Sequence, residues 1–153
     1  MNQLNKTIKQ LSKEIADHLG LDELPINFED LGDEDSRIYF KEEYISINTK
    51  YKNNYEECAK CLTHEYRHVF QIFYANLFQT ETAVRWKSLL PSIVNSSNIN
   101  KDGSNYITQE LEVDAFAFTK FYLEQYENIE VVNRIKGLDD VLDLYLEKNI
   151  KIM

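Results

Sequence analysis

The spacing of apolar positions changes from segment to segment, and each change predicts an element. Leu4, Ile8, Leu11, Ile15 and Leu19 recur every three or four residues among polar ones, which predicts an amphipathic helix that Gly20 stops. After Pro25 the pattern shortens to β-rich runs, INF, RIYF and YISIN, and the last two, separated by Lys41-Glu42-Glu43, read as a hairpin behind the acidic loop EDLGDEDS. Asn53 or Asn54 can cap a second helix that runs to about Phe78, with Glu56 and Glu57 in its first turn, where the helix dipole favours carboxylates. Thr80 to Trp86 can continue helically, whereas Pro91 and the polar run NSSNINKDGSN predict a long loop. Spanning about Trp86 to Ser104, it has the length of a lid or cleft wall. A third long helix begins near Asn105 with Leu111, Ala115, Phe118 and Tyr122 on one face. Val132, Ile135, Leu138, Leu142 and Tyr145 predict a last helix, whole or broken at Gly137. A helix, a small antiparallel sheet and then helices make an α+β pattern. At 153 residues, it is expected to be one domain over 1–153.

The second helix carries the chemistry. LTHEYRHVFQ spends two of the chain's three histidines, His64 and His68, four residues apart. On a helix such residues sit one above the other, so two imidazole nitrogens can aim at one point. Zinc takes nitrogen ligands at about 2.0 to 2.1 Å, and this spacing supplies two without bending the helix. Glu65 flanks that point and can accept a proton from a zinc-bound water.

A catalytic site needs a third protein ligand. His18, the other histidine, lies far upstream at the end of the first helix, so the search moves to the carboxylates of ELEVDAFAF. Glu110 and Asp114 are again four apart and share a face. The pairing makes sense if Glu110 binds zinc and Asp114 accepts the free N–H of a ligand histidine, fixing its tautomer. Glu112 points about 160° away around the helix and is expected to face solvent. The apolar neighbours Ala115, Phe116, Ala117 and Phe118 mark the stretch as buried, and buried carboxylates need partners.

HEYRH and ELEVDAFAF together resemble the gluzincin group of zincin metallopeptidases, whose third ligand is a glutamate in an E-x-x-x-D pattern. The second segment is similar to the E-x-x-A-D-x-F-A signature of membrane CAAX-type endopeptidases and to the E-x-E-A-N-x-F-A pattern of the soluble ImmA/IrrE-type family, with Val113 where alanine is usual. The resemblance covers about Cys58 to Phe121. It implies a minimal zincin-like fold with Zn2+ held by His64, His68 and Glu110, Glu65 as general base and Asp114 supporting a ligand histidine. It also implies a strand edge above the metal on which extended substrate adds. Tyr44, Ile45, Ser46, Ile47 and Asn48 are the candidate edge. The soluble family is the nearer analogy.

Composition narrows the partners. The formal net charge of -9 and the lack of a basic cluster exclude a nucleic-acid partner on electrostatic grounds. No run approaches the roughly 18 to 20 apolar residues of a membrane span. The amphipathic N-terminus lacks the apolar core of a secretory signal, so a cytoplasmic protein is expected. Cys58 and Cys61 form a lone C-x-x-C, read as two small hydrophobes on a buried face; a redox pair lacks a surrounding βαβ pattern, and a Cys61-His64-His68 structural zinc site lacks convergence. Arg67, Tyr66, Tyr106 and Tyr122 are possible oxyanion donors, although Arg67 can equally pair with an acidic neighbour. The expected function is a zinc-dependent endopeptidase acting on a peptide or protein substrate. The alternative is a catalytically silent zincin fold whose zinc only ties two helices together.

Overall fold

A computed structural model describes residues 6–94, 109–133 and 137–153. Its first helix, α1 (Ile8–Leu19), begins at a capping box in which Thr7 accepts from the Gln10 amide and the Gln10 side chain accepts from the Thr7 amide. It ends at Gly20, whose φ of 72° lets its N–H turn back to the Ala16 and Asp17 carbonyls. Three short strands follow, β1 (Ile26–Glu29), β2 (Ser36–Tyr39) and β3 (Tyr44–Asn48). Asn54 then caps α2 (Tyr55–Leu77) by accepting from the Glu57 amide. Beyond it lie α3 (Glu81–Val94), α4 (Glu110–Tyr126) and α5 (Leu138–Asn149). The architecture is α+β.

The sheet differs from expectation. Its order is β1-β3-β2, with β2 antiparallel to β3 through the predicted hairpin and β1 parallel to β3, so the sheet is mixed. β3 is therefore the central strand, and its backbone groups are shared with a neighbour on each side. YISIN cannot offer an edge to a peptide. Its burial gives the reason: Ile45 and Ile47 are fully inaccessible and anchor the main core with Leu11, Ile15, Leu62 and Phe118. Apolar side chains of this kind each contribute about 1.5–3 kcal/mol on burial, and the strand that carries most of them takes the middle.

The predicted loop after Trp86 is also partly helix, because α3 runs through Pro91. An internal proline costs about 3 kcal/mol. Leu89 and Leu90 pack against the second core cluster around Ala75, Trp86 and Leu111, which offsets that cost. The rest of that predicted loop, Asn95 to Ser104, lies outside the described residues, as do Leu4, Asn105, Tyr106 and Ile135. Gly137, at φ 81°, precedes α5 rather than breaking it.

Helix α2 is the hub. It packs against α1, the sheet, α3 and α4, and its middle two turns, which hold the H-E-x-x-H run, are buried on nearly every side. No helix among the described residues is long and apolar enough to cross a membrane.

Candidate metal centre

His64 and His68 project from one stripe of α2 toward the first turn of α4, and the residue that meets them is Glu112. His64 Nε2 lies 3.1 Å from Glu112 Oε1, His68 Nε2 lies 3.2 Å from Glu112 Oε2, and the two Nε2 atoms are 3.2 Å apart. A tetrahedral ion with bonds of about 2.0–2.1 Å keeps its ligand atoms about 3.3 Å from one another. The triangle of two imidazoles and one carboxylate has contacts near that separation, with the two histidines meeting different oxygens of Glu112. Glu112 and His68 are buried and His64 is partly accessible.

The donor set asks for a cation. Two imidazole nitrogens and a carboxylate converge, and unless a cation lies between them at least one Nε2 must carry a hydrogen, or lone pair would face lone pair. Without a metal a proton must take that place. Burial lowers the pKa of His68, but the Glu112 charge and hydrogen bond reverse the effect and raise it to about 9, with smaller contributions from Glu65 and Gln71. Glu112 is shifted the other way: burial would raise its pKa, and the two histidines hold it far below the ordinary carboxylate range. The three residues are positioned to bind a metal ion.

Glu110, expected as the third ligand, is elsewhere. Its carboxylate takes a two-point contact from Arg85 of α3, Nε to Oε1 at 2.7 Å and Nη2 to Oε2 at 2.9 Å, and the Trp86 indole N–H donates to Oε2 at 2.8 Å. Three N–H donors from α3 hold it on the side of α4 away from the histidines. The 160° separation of Glu110 and Glu112 was sound geometry; the buried side was the other one. Only tertiary packing distinguishes them, although Arg85-Trp86 offered a sequence hint that one carboxylate would be claimed there.

Asp114 does not touch a histidine either. It accepts from Arg67 Nε and Nη2 at 2.7 and 3.0 Å, from Gln71 Nε2 at 2.8 Å and from Tyr145 Oη at 2.8 Å. These donors fill the roughly four lone-pair sites of a carboxylate. Arg67 and Asp114 are both completely buried. The guanidinium lies over the rings of Phe70 and Phe118, at 4.5 and 4.7 Å from their centroids, a cation–π setting that offsets part of its desolvation. Arg67 thus takes the acidic partner the sequence allowed it, and Tyr66 is used in the core, where its hydroxyl contacts Ser12 and accepts from the Leu24 amide. Both side chains are committed to buried contacts. Tyr122 is buried among His18, Phe118 and Tyr126, and Tyr106 lies outside the described residues.

Glu65 is buried on α2 next to the triangle, and Ser36 of β2 donates its hydroxyl to Oε2 at 2.7 Å. Phe116 packs its ring edge-on against His64, with centroids 4.7 Å apart. Ser36, Gln71 and Phe116 are site residues that the sequence did not single out, and Glu112, expected to face solvent, is instead buried at the centre of the site. For Gln71 the available signal was its place three residues after His68, one turn along the same helix.

The cysteines are packing residues. Cys58 donates to the Tyr51 carbonyl, and burial raises its pKa to about 11 and that of Cys61 further still. Such thiols carry almost no thiolate at neutral pH. Comparison with protein-family models, curated proteins and solved structures finds no match to this chain.

Proposed function

We propose that the protein is a zinc-dependent endopeptidase, with His64, His68 and Glu112 as metal ligands and Glu65 as general base. The observation that carries this reading is the convergence of two Nε2 atoms, 3.2 Å apart, on the two oxygens of the Glu112 carboxylate, at 3.1 Å from His64 and 3.2 Å from His68. A zinc ion bound there supplies Lewis-acid polarisation of the scissile carbonyl and an activated water. Glu65 takes the proton of the attacking water and passes it to the leaving amine, and its hydrogen bond from Ser36 fixes the plane of its carboxylate. Glu65, His68 and Glu112 are buried, and in a site sheltered from bulk water electrostatic interactions act more strongly than in solution.

The peptide-binding edge moves from β3 to β2. Among the described residues β2 ends the strand order, pairs with β3 on one side only, and carries Ser36 in contact with Glu65. An extended substrate chain adding along β2 would therefore run past the general base.

The test is metal content and peptidase activity of purified protein. About one zinc per chain is expected, lost in His64→Ala or Glu112→Gln. Cleavage of a denatured protein substrate is expected to fall by at least about a hundredfold in Glu65→Gln with zinc retained. Protein that binds zinc but cleaves nothing in either form would instead be the silent, zinc-tied fold. Protein without zinc would end both readings.

A further inference from the structure

We infer that Gln71, not a carboxylate, is the positioning residue that holds His68 in the tautomer able to bind metal through Nε2, and that Asp114 acts on the site only by orienting Gln71. This rests on the zinc site proposed above.

The amide's orientation follows from its partners. On one side Gln71 faces two acceptors, the Leu111 carbonyl and Asp114 Oδ2, each at 2.8 Å. A carbonyl oxygen placed there would meet two oxygens, so that side must be the NH2 group. The Oε1 atom then faces His68 Nδ1 at 2.9 Å. Because Oε1 can only accept, Nδ1 must carry the hydrogen, and the neutral ring has its lone pair on Nε2, the atom aimed at His64 and Glu112. Both hydrogens of the amide are used, and Gln71 is fully buried, so the group has no alternative arrangement at hand.

Asp114 is fixed in turn from two other elements, by Arg67 of α2 and by Tyr145 of α5. The chain of contacts runs from Arg67 and Tyr145 through Asp114 and Gln71 to His68. Two adjacent stripes of α2 divide the work: His64 and His68 meet Glu112, while Arg67 and Gln71 meet Asp114. A neutral amide in this place leaves Glu112, among the described residues, as the one anionic group hydrogen-bonded to His68.

The decisive measurements are zinc affinity by chelator competition and long-range 1H–15N spectra of the His68 ring in the zinc-loaded protein. The wild type is expected to show zinc on Nε2 and a slowly exchanging proton on Nδ1. Gln71→Met, which keeps length and removes both hydrogen-bonding functions, is expected to weaken zinc by about 10- to 100-fold. Gln71→Glu is expected to do the same, because it sets a second carboxylate against Asp114 and the Leu111 carbonyl. Zinc on Nδ1 of His68 in the wild type would overturn the inference even if the variants fail to fold. Folded Gln71→Met and Gln71→Glu proteins that both bind zinc within about twofold of wild type would overturn it as well. If instead the wild type binds no zinc, or binds it with Glu112→Gln unaffected, the metal centre itself is wrong, and Gln71 loses its role with it.

Discussion

The assignment of Glu112 over Glu110 can be tested without any metal. In the metal-free protein, raising His68 from its ordinary 6.5 to about 9 corresponds to about 3 kcal/mol of favourable interaction, counted once for the His68–Glu112 pair. The sign follows from the direction of each shift. The raised histidine contributes fully below about pH 6.5 and loses its contribution as pH rises through about 9. The depressed Glu112 contributes fully above its unfolded value of about 4.5 and is lost only in stronger acid. Glu112→Gln should therefore destabilise metal-free protein by on the order of 3 kcal/mol near pH 6, or about 6–12 °C in Tm for a domain of this size, and by far less at pH 10. Glu110→Gln removes a partly exposed pair with Arg85, keeps an acceptor for Trp86, and should cost about 1 kcal/mol with little dependence on pH over the same range. The assay is thermal melting in chelator across pH 5–10, repeated with zinc. Zinc should raise the Tm of wild type and Glu110→Gln but not of Glu112→Gln. A pH-dependent loss in Glu110→Gln, or zinc stabilisation that survives Glu112→Gln, would refute the assignment.

Because zinc must displace the proton held by His68, zinc affinity should rise about tenfold per pH unit between pH 6.5 and about 9 and then level off; isothermal titration in buffers of different ionisation enthalpy would count the protons released. Arg67→Met strands the buried Asp114 charge and should cost about 3–5 kcal/mol, whereas Arg67→Met with Asp114→Leu should cost much less than the sum of the two single changes; denaturant melts of the four proteins measure the coupling. Cys58 and Cys61 should react with iodoacetamide at pH 8 far more slowly in the native protein than in urea-unfolded protein, a rate readable by mass spectrometry.

The amino-acid order by itself determined the end of α1 at Gly20 and both ends of α2, because caps and periodicity are local: Gly20, Asn54 and the 3.6-residue spacing of apolar positions act within one or two turns. It also determined the candidate ligand pair, since the four-residue spacing of His64 and His68 implies a shared face as soon as the segment is helical. Three things depended on packing between distant segments. β3 became the central strand because β1, from before the hairpin, pairs with its free side, and no local pattern in YISIN encodes which neighbours it acquires. α3 continues through Pro91 because Leu89 and Leu90 gain partners in the second core cluster, although local propensity argues for a stop. The carboxylate that joins the histidines as candidate third ligand is Glu112, because Arg85 and Trp86 take Glu110, while Arg67, Gln71 and Tyr145 fill Asp114. A helical wheel gives the angle between carboxylates on α4, but the direction of that wheel is set by the donors on α2, α3 and α5 that surround it.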